Sequence, residues 1–194
     1  MSTTPLITPR ASREQRAFRA LLDAMSRPGS VHRLESGSQP GAAILALFEA
    51  LVDHEVSFAV VPPAAETTEA ILRLTGSRLA PVSEAAYVLA TGPGIEVALA
   101  NACTGDPEYP DRGATVIAVV ESLAAEPGSG LDLVLQGPGI NGRCSLRVAG
   151  LPPRAVPLFL ERNAEVPLGV DLVLLAPDGR LTCLPRYTRI QEAN

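Results

Sequence analysis

Asp171 and Arg186 are the residues of this sequence whose types and surroundings best suit binding chemistry. Asp171 is the second residue of the apolar run VDLVLL (170–175), and Arg186 directly follows the run RLTCLP (180–185). A carboxylate in an apolar run needs a partner, which a guanidinium or a cluster of backbone amides supplies. Two interpretations are open: a contact to an anion or a ribose, and a structural ion pair or turn cap.

A long polar loop and two glycine-rich turns add further candidates for ligand or interface contacts. The loop GDPEYPDRGAT (105–115) contains Tyr109 and Arg112, and loops of this kind often carry recognition. GPGI occurs at 92–95 and again at 137–140. Gly137 and Gly139 of the second copy would offer backbone amides to an anion. The alternative interpretations are that 105–115 is a packed surface loop and that the two GPGI segments are unrelated turns.

The sequence contains no complete catalytic set and no metal-ligand pattern. All 16 basic residues are arginine, which excludes a Schiff base to pyridoxal phosphate and a P-loop lysine. No G-x-S-x-G elbow or CxxC pair occurs. Cys103, Cys144 and Cys183 each lie in or beside an apolar run, as small buried residues do. We therefore predict no catalytic residue, no metal and no cofactor in this chain.

The elements that position the candidate residues begin as alternating helices and strands and end in hairpins. Helices are predicted from Pro9 to the Pro28-Gly29 pair, at 40–53, 66–76 and 155–163, and in the first half of 95–113. Strands are predicted at 30–34, 56–61, 86–92, 113–123, 131–137, 144–150, 170–175 and 180–185. Phe18, Leu21, Leu22 and Met25 would form one apolar stripe of the first helix. This order favours a mixed sheet covered by helices, a three-layer α/β/α arrangement.

Length and composition restrict the class of protein. The 194 residues suit one domain over 9–194, preceded by a flexible tail at 1–8. A net charge of −5 and 4% aromatic residues argue against a nucleic-acid partner. No apolar stretch reaches the roughly 20 residues of a membrane helix. The first residues lack the apolar centre of a signal peptide, so we expect a cytoplasmic protein.

Four ordered segments resemble one protein family. They are FRALLDAMSRPG (18–29), YPDRGATVIAVVESL (109–123), LQGPGI (135–140) and PLGVDLVLLAPDGRLTCLPR (167–186). Their order and spacing resemble the H subunit of the bacterial carbon–phosphorus lyase system, the PhnH family, over nearly the whole chain. The sequence departs from the family pattern at Val166, where an aromatic residue is usual, and at Tyr187, where a small hydroxyl residue is usual.

The resemblance implies a fold similar to pyridoxal-phosphate-dependent aminotransferases without the cofactor lysine. It also implies a homodimer that joins the G, I and J subunits in a core complex and acts with the L subunit. This system displaces adenine from ATP by an alkylphosphonate, which gives alpha-D-ribose 1-methylphosphonate 5-triphosphate. The family's catalytic work is attributed chiefly to the I subunit, so no catalytic residue is carried over to this chain.

Three hypotheses follow. The first is that the chain is an accessory subunit of the phosphonate-degrading complex. Conversion of ATP and methylphosphonate by the purified chain alone would contradict it. The second is an independent enzyme with a site at its own dimer interface, built from Asp171, Arg186 and the GPGI loops. It requires those groups to converge in one deep pocket. The third is a ligand-binding module, whose melting temperature would rise with its ligand.

Overall fold

The computed structural model describes residues 9–37, 39, 41–123 and 130–193, and its fold is α/β. The predicted tail at 1–8 lies outside the described residues. The helices are α1 (Pro9–Ser26), α2 (Ala42–Leu51), α3 (Ala65–Thr75), α4 (Gly94–Asn101) and α5 (Ala155–Arg162). The strands are β1 (His32–Arg33), β2 (Ser57–Val61), β3 (Arg78–Leu79), β4 (Tyr87–Thr91), β5 (Thr115–Val119), β6 (Ser122–Leu123), β7 (Leu131–Gln136), β8 (Cys144–Ala149), β9 (Asp171–Leu175), β10 (Arg180–Leu184) and β11 (Arg189–Glu192).

Seven strands form a mixed sheet in the order β1-β10-β9-β5-β4-β2-β3, which confirms the predicted mixed sheet. From β3 to β9 the neighbouring strands are parallel. β10 and then β1 add to this core in antiparallel orientation. The hairpin formed by the strands predicted at 170–175 and 180–185 is confirmed, with Leu172 opposite Leu184 at its open end.

The central strands bury both faces of this sheet because their side chains alternate between two apolar clusters. In β9, Leu172 and Leu174 belong to the cluster that contains residues of α4 and α5. Val173 and Leu175 belong to the cluster that contains residues of α1, α2 and α3. Helices therefore contribute to the apolar clusters on both faces of the sheet, and this near-continuous apolar character is typical of a parallel core.

A second sheet of four antiparallel strands, in the order β11-β7-β8-β6, packs into the cluster that also holds α4 and α5. The predicted hairpin of β7 and β8 is confirmed. The single strand predicted over 113–123 is wrong, because the chain leaves the main sheet after Val119. The Glu121 amide already donates to Ala149 of β8 at 2.9 Å. β3 and β11 were not predicted, since one has two residues and the other is mostly polar.

The apolar stripe predicted for α1 is not buried at two of its four positions. Phe18 and Leu22 are 45% and 52% exposed, whereas Ala17, Leu21 and Ala24 are buried. Small alanine side chains let the helix lie close to α2 and the sheet, and this turns the larger Phe18 outward. None of the helices in the described part of the chain is both long and apolar enough to cross a membrane.

Candidate functional site

A tight turn at residues 185–188 carries the chain from the main sheet to the small sheet. The Thr188 amide donates to the Pro185 carbonyl at 2.8 Å, which makes Arg186 and Tyr187 the two central residues of the turn. Gly137, at the end of β7, packs against this turn. A Cβ at Gly137 would lie 2.9 Å from the Tyr187 carbonyl oxygen, so a side chain would disturb the approach of the two segments.

Asp171 holds this turn through three hydrogen bonds from Arg186. Its Oδ1 accepts the backbone N–H of Arg186 at 2.8 Å and Nε at 3.4 Å, and its Oδ2 accepts Nη2 at 2.8 Å. The two side chains are 17% and 12% exposed. Because Asp171 begins β9, the pair lies at the amino-terminal edge of the parallel strands. Ligands of open α/β sheets usually bind at the opposite edge.

Arg186 also fixes the loop that contains Tyr109 and Arg112. Its Nη1 donates to the Pro110 carbonyl at 2.8 Å, and its guanidinium lies over Gly113, where a Cβ would be 2.8 Å from Nη1. The Arg112 guanidinium lies 4.0 Å from the centroid of the Tyr109 ring, and both side chains are exposed. This loop is therefore attached to the Asp171–Arg186 pair from outside the main sheet.

An open cleft of about 520 Å³ lies beside the turn, and we call it the α5–β11 cleft. Its polar side chains belong to Gln136, Asn163, Arg186, Thr188 and Arg189. Its large apolar surfaces come from Leu160, Val166 and the Tyr187 ring. Among the described residues that line it there is no carboxylate, histidine or cysteine. The lining also includes two hydroxyl-bearing residues, Tyr187 and Thr188.

Local structure explains how the cleft residues meet. Leu160 and Asn163 are three residues apart at the end of α5, so they share one face of that helix. Gln136 and Arg189 are opposite each other in the β7–β11 pair, which places both side chains at the same level. Turn residue Tyr187 lies between these two walls.

Asn163 has one end of its amide satisfied and the other unsatisfied. Its Oδ1 accepts the Val170 amide at 2.7 Å, and this fixes the orientation of the group because a backbone N–H can only donate. Its Nδ2 is buried and has no hydrogen-bond partner among the described residues. A buried donor without an acceptor costs roughly 1–3 kcal/mol, so this amide is an unfavourable group at the end of α5.

The residues predicted from the sequence do not form one pocket. Arg186 and Gly137 line the cleft, whereas Asp171 lies behind Arg186 and is not part of the lining. Gly139 packs away from it, and a Cβ there would meet Pro28 Cδ at 2.9 Å. The first GPGI segment opens helix α4, with Gly94 close to the Val61 carbonyl. The convergent pocket required by the dimer-interface hypothesis is thus absent within the described part of one chain.

Asn163, Arg189 and Gln136 were missed, since they lie in segments interpreted only as structural or left unassigned. No spacing pattern in the sequence links them, because they meet through the pairing of β11 with β7 and the end of α5. The one signal was at Val166 and Tyr187, the two departures from the family pattern. Both line the cleft, and Val166 is 70% exposed.

The Cys183 thiol lacks the low pKa of a reactive cysteine. Burial, and then the nearby charge of Asp171, raise the pKa of the Cys183 thiol far above its ordinary value. The thiol is therefore inert at neutral pH. Within the described ranges, no group of three or more histidine, cysteine, aspartate or glutamate side chains is placed to hold a metal ion.

Comparison with known proteins gives consistent matches over nearly the full chain. The family model "Bacterial phosphonate metabolism protein (PhnH)" matches residues 7–191. The "Putative C-P lyase subunit protein HtxG" of Stutzerimonas stutzeri is 38% identical over 180 residues, which covers 93% of this chain and 87% of that protein. The "Alpha-D-ribose 1-methylphosphonate 5-triphosphate synthase subunit PhnH" of Rhizobium meliloti (strain 1021) is 31% identical over 189 residues, or 92% of this chain and 90% of that protein.

Proposed function

The chain belongs to the PhnH family of bacterial phosphonate metabolism proteins, and we propose that it is an accessory subunit of a carbon–phosphorus lyase system. In this role it supports the displacement of adenine from ATP by an alkylphosphonate, which gives alpha-D-ribose 1-methylphosphonate 5-triphosphate. The observation that carries the proposal is the family match over residues 7–191, together with a relative named as a subunit of that synthase.

The chemistry of the chain supports an accessory role rather than independent catalysis. Arg186 is committed to Asp171 and the Pro110 carbonyl, and the described lining of the cleft contains no carboxylate, histidine or cysteine. The chain has no lysine, so it cannot form an internal aldimine with pyridoxal phosphate. A fold related to the pyridoxal-phosphate-dependent aminotransferases, which we also propose, would therefore serve as a scaffold without the cofactor.

Assembly is the second part of the proposal. We propose a cytoplasmic homodimer that joins the G, I and J subunits and works with the L subunit. Phe18 and Leu22 support this idea, since two large apolar side chains are exposed on the same helix. Apolar side chains of this kind are typical of the buried centre of subunit interfaces.

The decisive experiment is co-expression of the chain with the neighbouring G, I and J proteins of its host, one of them tagged. We expect a stoichiometric complex by size-exclusion chromatography with light scattering. The chain alone should not consume ATP in the presence of methylphosphonate. The variant Phe18→Ser/Leu22→Ser tests the α1 surface, with exposed Val97→Ser on α4 as the matched control. A homodimer that ignores the other subunits would overturn the proposal.

One observation favours a second candidate function. The α5–β11 cleft has the size of a small-molecule site and a mixed polar and apolar lining. A ligand-binding module, or an enzyme completed across its own dimer interface, would use such a cleft. Turnover of ATP and methylphosphonate by the purified chain would favour the enzyme, and saturable binding without assembly would favour the module.

A further inference from the structure

We propose that the outer face of α1 docks against a different protein subunit, in an apolar groove that carries a carboxylate opposite Arg19. This outer α1 face consists of Phe18, Leu22 and Arg19, with Gln15 on the same side of the helix. The proposal rests on the accessory role for the source of the partner, which is one of the G, I and J subunits. The surface and its chemistry depend on α1 alone.

α1 lies at one end of the main sheet, and its inner side is already occupied. The helix contacts α2, β10 and the edge strand β1. Ala17, Leu21 and Ala24 form this inner side and are buried. Phe18 and Leu22 project from another side and remain exposed. Within the described part of the chain, the outer α1 face is therefore open to a partner.

The spacing of the exposed residues is that of a helix bound in a groove. Phe18 and Leu22 are four residues apart, so their side chains are neighbours on the helix surface. Gln15 lies three residues before Phe18 and is exposed as well. Amphipathic helices bind grooves through apolar side chains at this spacing. A complementary groove would remove both large apolar side chains from water together.

Arg19 gives the outer α1 face a positive charge. Its side chain is exposed and has no ion-pair partner among the described residues. The neighbouring Arg16 is instead paired with Glu35, whose carboxylate lies 2.6 Å from its Nε. The chain as a whole has a net charge of −5, so this uncompensated positive charge is a local exception. A carboxylate at the rim of the partner's groove would match it and guide docking.

The same charge argues against a second copy of this chain as the occupant. In an isologous contact the two copies of α1 would pair antiparallel, with Phe18 of one against Leu22 of the other. Arg19 lies between these two positions in the helix, so the twofold axis would place both copies of Arg19 on one flank near the middle of the contact. Like charges side by side destabilise an interface. A different subunit with an acidic rim avoids this conflict, and the proposed homodimer would use another surface.

Binding to the partner subunits tests the outer α1 face. The G, I and J proteins are co-expressed with one of them tagged and are captured through the tag, and the purified full-length chain is titrated over them by surface plasmon resonance. We expect Phe18→Ser/Leu22→Ser and Arg19→Glu each to weaken binding by roughly 10-fold or more. Val97→Ser on α4 and Arg78→Glu on the far edge strand β3 are matched controls at exposed positions. They should change binding by less than about threefold.

Two further measurements separate a docking surface from a structural role. The melting temperature of each variant should stay within about 2 °C of the parent, since the changed side chains are exposed. Binding of the parent should weaken as NaCl is raised, because salt screens the attraction between Arg19 and a carboxylate. Arg19→Glu should show the opposite trend, since salt then screens a repulsion.

The outcomes separate this proposal from the proposed function. Parent-like binding of both α1 variants would overturn the outer α1 face and leave the accessory role standing. A chain that is dimeric by light scattering, but monomeric after Phe18→Ser/Leu22→Ser, would assign the face to a second copy and would also overturn the proposal. So would sedimentation with phosphatidylserine vesicles that is lost in the same variants, because it would assign the face to a membrane. Absence of any binding by the parent chain would overturn the accessory role, and the docking proposal with it.

Discussion

Replacing Asp171 by alanine should destabilise the protein by an amount far larger than an exposed carboxylate would contribute. The change removes the acceptor of the Arg186 backbone amide, of Nε and of Nη2 in one step. It leaves the guanidinium, which is only 12% exposed, bonded to the Pro110 carbonyl but without a counter-charge. The turn at 185–188 and the loop before β5 should both loosen.

The magnitude follows from the burial of the pair. Breaking a buried ion pair by removing one partner typically costs about 3–5 kcal/mol, because the remaining charge stays desolvated. For a chain of 194 residues, each kcal/mol lowers the melting temperature by about 2–4 °C. We therefore expect a decrease of roughly 6–20 °C for Asp171→Ala. Asp171→Asn should cost less, since its amide oxygen still accepts the Arg186 backbone N–H.

A double-mutant cycle measured by urea and thermal denaturation at one fixed protein concentration checks this reasoning. Arg186→Leu removes the guanidinium but keeps the backbone amide that Asp171 accepts. The double variant should be more stable than Asp171→Ala alone, because it contains no unpaired buried charge. Asp178→Ala, which breaks the more exposed Asp178–Arg180 pair of the same hairpin, should cost less than about 1 kcal/mol.

Two results would refute the reasoning. A melting temperature of Asp171→Ala within about 2 °C of the parent would show that the pair contributes little to stability. Additive effects of Asp171→Ala and Arg186→Leu would show that the two side chains act separately despite their contact.

Three further predictions concern packing, reactivity and pH. Gly113→Ala should destabilise the protein by about 1–3 kcal/mol, since its Cβ would overlap the Gly169 carbonyl and meet Arg186. Gly37→Ala, where the surroundings are open, is the control. Equal melting temperatures of the two variants would contradict the packing argument. Cys183 should react with a thiol reagent only after unfolding, which peptide mapping of the labelled protein would show. Labelling of Cys183 in the native protein at the rate of the other two cysteines would contradict its burial. The side-chain hydrogen bond from Arg147 lowers the pKa of Asp132, so the stability from this pair is present above the unfolded-state pKa and lost as pH falls through the folded-state pKa. The melting-temperature difference between the parent and Asp132→Asn should thus be larger at neutral pH than near pH 3, and a difference independent of pH would argue against it.

Most of the fold was predictable because its signals are local. The apolar runs that became β5, β7, β8, β9 and β10 are bounded by glycine and proline, so strand type and hairpin turns could be read from short windows. The failures have specific physical causes. In α1 the alanines pack closely against the rest of the protein, and Phe18 is therefore exposed. Hydrophobic periodicity alone could not predict this, because it does not say whether alanine or phenylalanine faces the core.

The site was less predictable than the fold because it depends on long-range pairing. The Asp171–Arg186 contact was among the alternatives that the sequence left open, and it forms because a hairpin brings the two ends of one short segment together. Asn163, Gln136 and Arg189 belong to three different elements, and they meet only when β11 pairs with β7 beside the end of α5. A four-residue, mostly polar strand such as β11 gives little periodic signal, so no local pattern predicted its pairing with β7.

Arg186 and Arg189 lie three residues apart, but their guanidinium groups differ in their contacts. Arg186 is in a turn whose amide and guanidinium both meet Asp171, so most of its donors are used within the fold. Arg189 begins β11 with its side chain exposed beside Gln136, and it has no ion-pair partner among the described residues. Arg186→Leu should therefore lower the melting temperature, whereas Arg189→Gln should leave it within about 2 °C of the parent. Equal decreases in the two variants, measured by thermal denaturation, would contradict this difference.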